Sequence, residues 1–137
     1  MTTKIKFDVY APDWSLVGRK AQSGVQRAIK LAALGAQSDA KRRIMASPAT
    51  GIKYRVGVNR FHVSSSAGNA PRSNTGMLLA SIKAHAKAQG FEVFSTDYGN
   101  YLENGTRHIA PRPWARPAIE SQMTGLQNAI NQVLNNL

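Results

Sequence analysis

"SIKAHAKAQGFEVFST", residues 81–96, decides the fold. Its first half alternates. Ile82, Ala84, Ala86 and Ala88 fall on one face, and Ser81, Lys83, His85 and Lys87 on the other. Successive side chains of an extended chain point to opposite sides, so this period of two predicts a half-buried strand. Its apolar face is made of small residues and its outer face is basic. Gln89-Gly90 then turns the chain into a second strand, "FEVFST". A β-hairpin here, in a chain with helical ends, predicts an α+β fold.

Upstream, "ATGIKYRVGVNRFHVSSSAGNAPRSNTG" (residues 49–76) is rich in turn-forming residues. "IKYRVGV" and "RFHVS" alternate well enough for another hairpin, turning near Gly57 to Asn59. "SSSAGNAPRSNTG" is small and polar, and residues 64–75 are expected to be a mobile loop. Met77 to Ala80 fit a short helical turn. Before this middle, residues 15–46 predict one long helix. Val17, Ala21, Val25, Ala28, Ile29, Ala32, Ala36 and Ile44 recur at helical spacing on one side. Most are small, so another surface can approach closely. Ser47-Pro48 ends the helix, because the residue before proline avoids helical angles. "KIKFDVY" (residues 4–10) alternates again and predicts a first strand, and Asp13 or Ser15 could cap the helix that follows.

Downstream, Asp97 is placed to cap a short helix with Tyr98, Tyr101 and Leu102 on one side, ending at Asn104-Gly105. The last helix is expected from about Arg116 to Asn135, with Pro117 in its first turn, where a missing N–H costs little. Ile119, Met123, Leu126, Ile130, Val133 and Leu137 form a narrow apolar seam on it. All of this fits one domain, residues 1–137, with a long N-terminal helix and a C-terminal helix packed on a small antiparallel sheet.

Composition narrows the chemistry. There is no cysteine, which excludes disulfides, thiolate catalysis and cysteine-ligated zinc. No apolar run approaches the roughly 18–20 residues that span a bilayer. The first residues lack a signal-peptide apolar stretch, so a soluble protein outside the usual export route is expected. His62, His85 and His108 sit in separate segments without metal-ligand spacing. No G-x-S-x-G elbow, phosphate-binding loop or close carboxylate pair is present. Neither an enzyme nor a cofactor or metal protein is expected.

The charge is lopsided: 18 Lys and Arg against 7 Asp and Glu, a formal net of +11. Between Trp14 and Phe91 the only acid is Asp39, among 13 basic residues. Such a field favours an acidic partner, either nucleic acid or another protein. The candidate contacts are Lys41, Arg42 and Arg43 near the helix end, and Arg55 and Arg60, which interleave with Tyr54, Phe61 and His62. Aromatics alternating in a strand are more often core residues, and no zinc-finger, RRM or helix-turn-helix pattern is present.

The remaining stretch, "YLENGTRHIAPRPWARPAIE" (residues 101–120), stiffens the chain with Pro111, Pro113 and Pro117 and carries one large anchor, Trp114. It resembles the late signature of a tailed-phage neck and tail-completion family, whose members are head–tail joining or minor tail components. In that family a short tyrosine-containing helix leads to "VE-FGT", and "ARPFLRPAL" opens the last helix. Here Leu102-Glu103-Asn104-Gly105-Thr106 stands for the first element. Pro111-Arg112-Pro113-Trp114-Ala115-Arg116-Pro117-Ala118 stands for the second. Upstream, "APRSNTGMLLASIKA" is similar to the family's "P-x-x-TG-x-L-x-x-SI", with Ala70-Pro71, Thr75-Gly76, Leu78 or Leu79, and Ser81-Ile82 in order. The resemblance spans roughly residues 15–136. Asn104 replaces a bulky residue and Trp114 a phenylalanine.

The resemblance implies a virion structural protein of a tailed double-stranded DNA phage or prophage, located at the head–tail junction or tail end after assembly in the host cytoplasm. It implies a homo-oligomeric ring, hexameric by expectation, joined to other neck or tail proteins and without a membrane, its basic surface meeting acidic partners or phage DNA. The interface residues it points to are Pro71, Arg72, Thr75, Gly76, Tyr101, Glu103, Gly105, Thr106, Arg112, Pro113, Trp114, Arg116 and Pro117. No catalytic residues carry over. The alternative from charge alone is a sequence-tolerant nucleic-acid-binding module.

Overall fold

A computed structural model describes residues 5–10, 18–72 and 76–136, the first of these as backbone only. Expectations for Asp13, Ser15, Val17, Thr75 and Leu137 lie outside the described residues, as does any for the side chains of the first strand. The elements run β1 (Ile5–Tyr10), α1 (Arg19–Ala46), β2 (Lys53–Gly57), β3 (Arg60–Val63), α2 (Met77–Ser81), β4 (Lys83–Lys87), β5 (Gly90–Ser95), α3 (Asp97–Asn104) and α4 (Ala115–Asn135). The fold is α+β.

β5 is the centre of a three-stranded antiparallel sheet in the order β1-β5-β4. β4 and β5 meet through a two-residue loop, with Lys87 opposite Gly90. The turn is therefore Ala88-Gln89, and Gly90 is already strand. The β5 side chains Phe91, Val93 and Ser95 are all buried. β4 is an edge strand, as is β1, and the small-residue face of β4 is only partly covered. Ala84 is half-buried and Ala86 exposed, and α1 reaches this strand and its turn with polar groups. Gln37 Oε1 accepts from the Ala84 amide at 2.9 Å, and Gln26 Nε2 donates to the Ala88 carbonyl at 2.5 Å.

α1 lies between the sheet and α4. Its buried stripe is Ala21, Gly24, Val25, Ala28, Ile29, Ala32, Ala33, Ala36, Ala40 and Ile44. The small residues let α4 come close: a Cβ on Gly24 would stand 2.9 Å from both γ-carbons of Val133. α4 buries Ala115, Ala118, Leu126 and Ile130, with Ile119, Ala129 and Val133 partly covered. Met123, expected in the seam, is exposed. The seam is thus a single-chain helix contact, broader at the start of α4 than the 4-3 spacing indicated.

β2 and β3 form a separate two-stranded hairpin with Asn59 at φ 55 in the turn and a bulge between Arg55 and Gly57. Among the described residues no third layer covers this ribbon, so Tyr54 and Phe61 stay exposed instead of joining a core. Of residues 64–75, expected to be a mobile loop, the described part, 64–72, is tied at several points. Ser64 pairs with Ile52 through backbone and side chain, the Ser47 hydroxyl donates to the Ala70 carbonyl, and the Gly68 amide donates to the Pro111 carbonyl at 3.0 Å. Ser65 and Pro71 are buried.

Candidate functional site

The motif residues converge on the corner between α3 and α4. Asp97 does not cap α3. Thr96 holds the cap position and Asp97 is the first helical residue, where its charge still favours the helix N-terminus. Of the expected apolar side only Leu102 is buried, with Tyr98 and Tyr101 about half exposed. α3 ends at Gly105, whose amide donates to the Tyr101 carbonyl at 2.8 Å. Gly105 has φ +75, a left-handed conformation, and a Cβ there would press against Pro111 and the Ile109 carbonyl. The next residues close a tight loop, with the Thr106 amide donating to the Ile109 carbonyl at 2.8 Å.

The chain then returns against α3. The Arg112 amide donates to the Leu102 carbonyl at 2.6 Å. Trp114 is fully buried and its Nε1 donates to the Gly99 carbonyl at 2.8 Å. Glu103 is buried and caps α4. Its Oε2 accepts from the amides of Trp114 at 2.6 Å and Ala115 at 2.9 Å, and its Oε1 from Arg116 at 3.1 Å. The next residue, Pro117, has no amide to satisfy. A carboxylate facing unpaired amides at a helix N-terminus is stabilised by both hydrogen bonds and the helix dipole. Glu103 and Trp114 are therefore internal to the subunit, and Gly105 is half-buried. Tyr101, Thr106 and Arg116 face outward, and Pro113 and Pro117 are half-buried.

Pro71 and Arg72 adjoin this corner. The Arg112 Nε donates to the Ser65 carbonyl at 3.1 Å, and an Arg72 Nη donates to the Val63 carbonyl. Gly76 instead precedes α2 in a left-handed conformation, its carbonyl accepting from the Ala80 amide.

The basic candidates fall on two elements. Arg42 and Arg43 both bind the buried Asp39 carboxylate, Arg43 Nε at 2.6 Å from Oδ2, and the Ser121 hydroxyl on α4 donates to the same oxygen at 3.3 Å. Two of the three cations at residues 41–43 are thus engaged within the chain. The sequence signal for this was Asp39 three and four residues before two arginines on one helix. Arg55 and Arg60 are exposed on the hairpin. The Phe61 ring lies 4.9 Å from Lys53 Nζ and 5.8 Å from the Arg55 guanidinium carbon, and Tyr54 meets His62 edge-on at 5.4 Å. Burial and then the Arg72 charge hold the His62 imidazole below its ordinary value. Burial and the neighbouring Tyr54 raise the Tyr98 phenol, against the opposing charge of Arg112.

Among the described residues no group of three or more His, Asp or Glu could hold a metal ion. No helix there is long and apolar enough to cross a membrane. These features define a small basic α+β domain with an interlocked α3–α4 corner and an exposed aromatic–basic hairpin. No family model, characterised protein or solved structure matches the chain.

Proposed function

We propose that this chain is a structural subunit of a tailed double-stranded DNA phage or prophage, a neck or tail-completion component that works in a homo-oligomeric ring. The observation carrying the reading is the meeting of the two late motif segments. Glu103 of "LENGT" caps the helix that "PRPWARPA" opens, and Trp114 closes on Gly99. Segments whose resemblance lies in their order and spacing are thereby parts of one built unit. Large apolar side chains left exposed, among them Leu31, Leu34, Ile52, Val58 and Tyr101, suit a subunit that buries further surface on assembly. In this reading the corner is scaffolding, and the virion is where the protein acts.

Native mass spectrometry over a rising concentration series tests this. Closed rings are expected. A strict monomer that also fails to bind purified heads or tails overturns it.

A second reading, a sequence-tolerant nucleic-acid-binding module, is favoured by one observation. Phe61 is 54% exposed on the hairpin with Lys53 and Arg55 against its ring and Arg60 beside it. Stacking surfaces flanked by cations bind single strands with little sequence preference. Electrophoretic shift across a salt series tests it, with affinity expected to fall steeply as salt rises. Because Arg42 and Arg43 are engaged by Asp39, the informative variant is Arg55→Ala with Arg60→Ala. Unchanged binding in that variant rejects the hairpin as the contact.

A further inference from the structure

A cavity of about 270 Å³ opens between the β2–β3 hairpin, residues 64–72, α3 and the linker to α4. Arg72 and Arg112 line it, and among the described residues no carboxylate does. Each arginine spends one known N–H on a backbone carbonyl, Arg72 on Val63 and Arg112 on Ser65. A guanidinium has five N–H donors in a fixed fork suited to a carboxylate, so both retain donors for another acceptor. Ser65, also lining the cavity, is 0% exposed, and its hydroxyl has no hydrogen-bond partner among the described residues. A buried polar group left without a partner costs stability, so this hydroxyl adds an unsatisfied polar group to the wall beside the two arginines. The rim is apolar and open, with Ile52 77% exposed and Tyr54 and Tyr98 beside it.

We infer that this cavity receives an acidic side chain from an extended segment of a partner protein, the carboxylate between Arg72 and Arg112 and neighbouring apolar side chains against Ile52, Tyr54 and Tyr98. The volume lies just under the range of about 300–1,000 Å³ usual for small-molecule pockets, which suits one or two docked side chains. A recessed pair of cations in a concave apolar setting differs from the stripe of phosphate contacts that tracks a nucleic-acid backbone. A second copy of this basic chain is a poor source of the carboxylate: among the acids whose side chains are described, Asp39 and Glu103 are buried in internal bonds, Glu92 pairs with Lys87, and Asp97 and the exposed Glu120 sit on helices, not on an extended segment. This names the chemistry of a ring neighbour and rests on the assembly reading only for where that neighbour comes from.

The probe is a fluorescein-labelled octapeptide alternating glutamate and leucine, with its glutamine counterpart and a single-stranded thymidine oligonucleotide as comparisons. Each is titrated into the full chain at physiological salt and followed by anisotropy. The glutamate peptide is expected to bind about tenfold more tightly than the glutamine peptide. Ile52→Glu, at the open rim, is expected to weaken it about tenfold. Lys30→Gln, which makes the same one-unit charge change on the exposed face of α1, should leave it within about twofold. Amide shifts in the unaltered chain should concentrate in residues 62–72 and 98–112, a readout that needs no variant. Equal binding of the two peptides, equal loss in the two variants, shifts spread along α1, or displacement by the oligonucleotide each overturns the inference. Rings without peptide binding reject the cavity assignment alone. Peptide binding by a strict monomer that also fails to bind purified heads or tails rejects the assembly reading and keeps the cavity.

Discussion

The Glu103 carboxylate stands 2.6 Å from the Trp114 amide and holds the start of α4 from the last turn of α3. One buried side chain thus sets the angle between two helices across a proline-stiffened return. Glu103→Ala leaves the amides of Trp114, Ala115 and Arg116 without their acceptor, and is expected to destabilise the chain by about 3 kcal/mol. Glu103→Gln keeps the shape and one acceptor, and about 1–2 kcal/mol is expected. Urea unfolding measures both. An alanine variant within about 0.5 kcal/mol of the parent would show that the cap is not what holds the corner.

Trp114 has two contributions that substitution can separate. Trp114→Phe retains most of the buried ring and loses only the hydrogen bond to Gly99, for an expected cost of about 1–2 kcal/mol. Trp114→Ala also opens a cavity in the core, for about 3–5 kcal/mol. Thermal unfolding of the pair should therefore show a folded phenylalanine variant and a severely weakened alanine variant. Equal losses would mean that the indole N–H, not the ring volume, fastens the corner.

The fold was legible where local periodicity carries it. The alanine-rich stripe of α1, its stop at Ser47-Pro48 and the alternation of residues 82–95 each depend on neighbours a few positions apart. The corner was legible only as a motif. Glu103 is eleven residues from the Trp114 amide it binds, beyond any local capping pattern, so its part as a cap depends on the return of the chain. The hairpin aromatics were misplaced for a similar reason. Alternation in residues 53–63 identifies strands but does not say whether a third layer exists to cover them, and here Tyr54 and Phe61 have none among the described residues. The cavity was invisible in sequence because Ser65, Arg72 and Arg112 meet only after the loop and the linker fold together.

Acid should loosen the α1–α4 contact through Asp39. Burial pushes its carboxyl up, but the hydrogen bonds and charges of Arg43 and Arg42 outweigh burial and hold it below its ordinary value of 3.8. As pH falls, the unfolded chain takes up this proton first. The stabilisation is therefore complete above the ordinary value and is lost as pH falls through the lower folded one. Asp39→Asn should cost about 1 kcal/mol near neutrality and flatten the acid limb of the stability curve. A variant whose acid limb matches the parent's would assign acid sensitivity to other carboxylates.

Gly24 tests how tightly α4 is seated on α1. Glycine inside a helix is about 1 kcal/mol worse than alanine, so Gly24→Ala on an open face would stabilise. Here the new Cβ would stand 2.9 Å from both Val133 γ-carbons. A β-branched side chain in a helix has essentially one rotamer, so Val133 cannot turn aside. Gly24→Ala alone is expected to be neutral or destabilising. Val133→Ala removes the obstructing carbons, and in that background Gly24→Ala should recover about 1 kcal/mol. The coupling in this double-mutant cycle is the measurement. Additive effects of the two substitutions would mean that the helices separate freely and that the small-residue stripe does not fix their spacing.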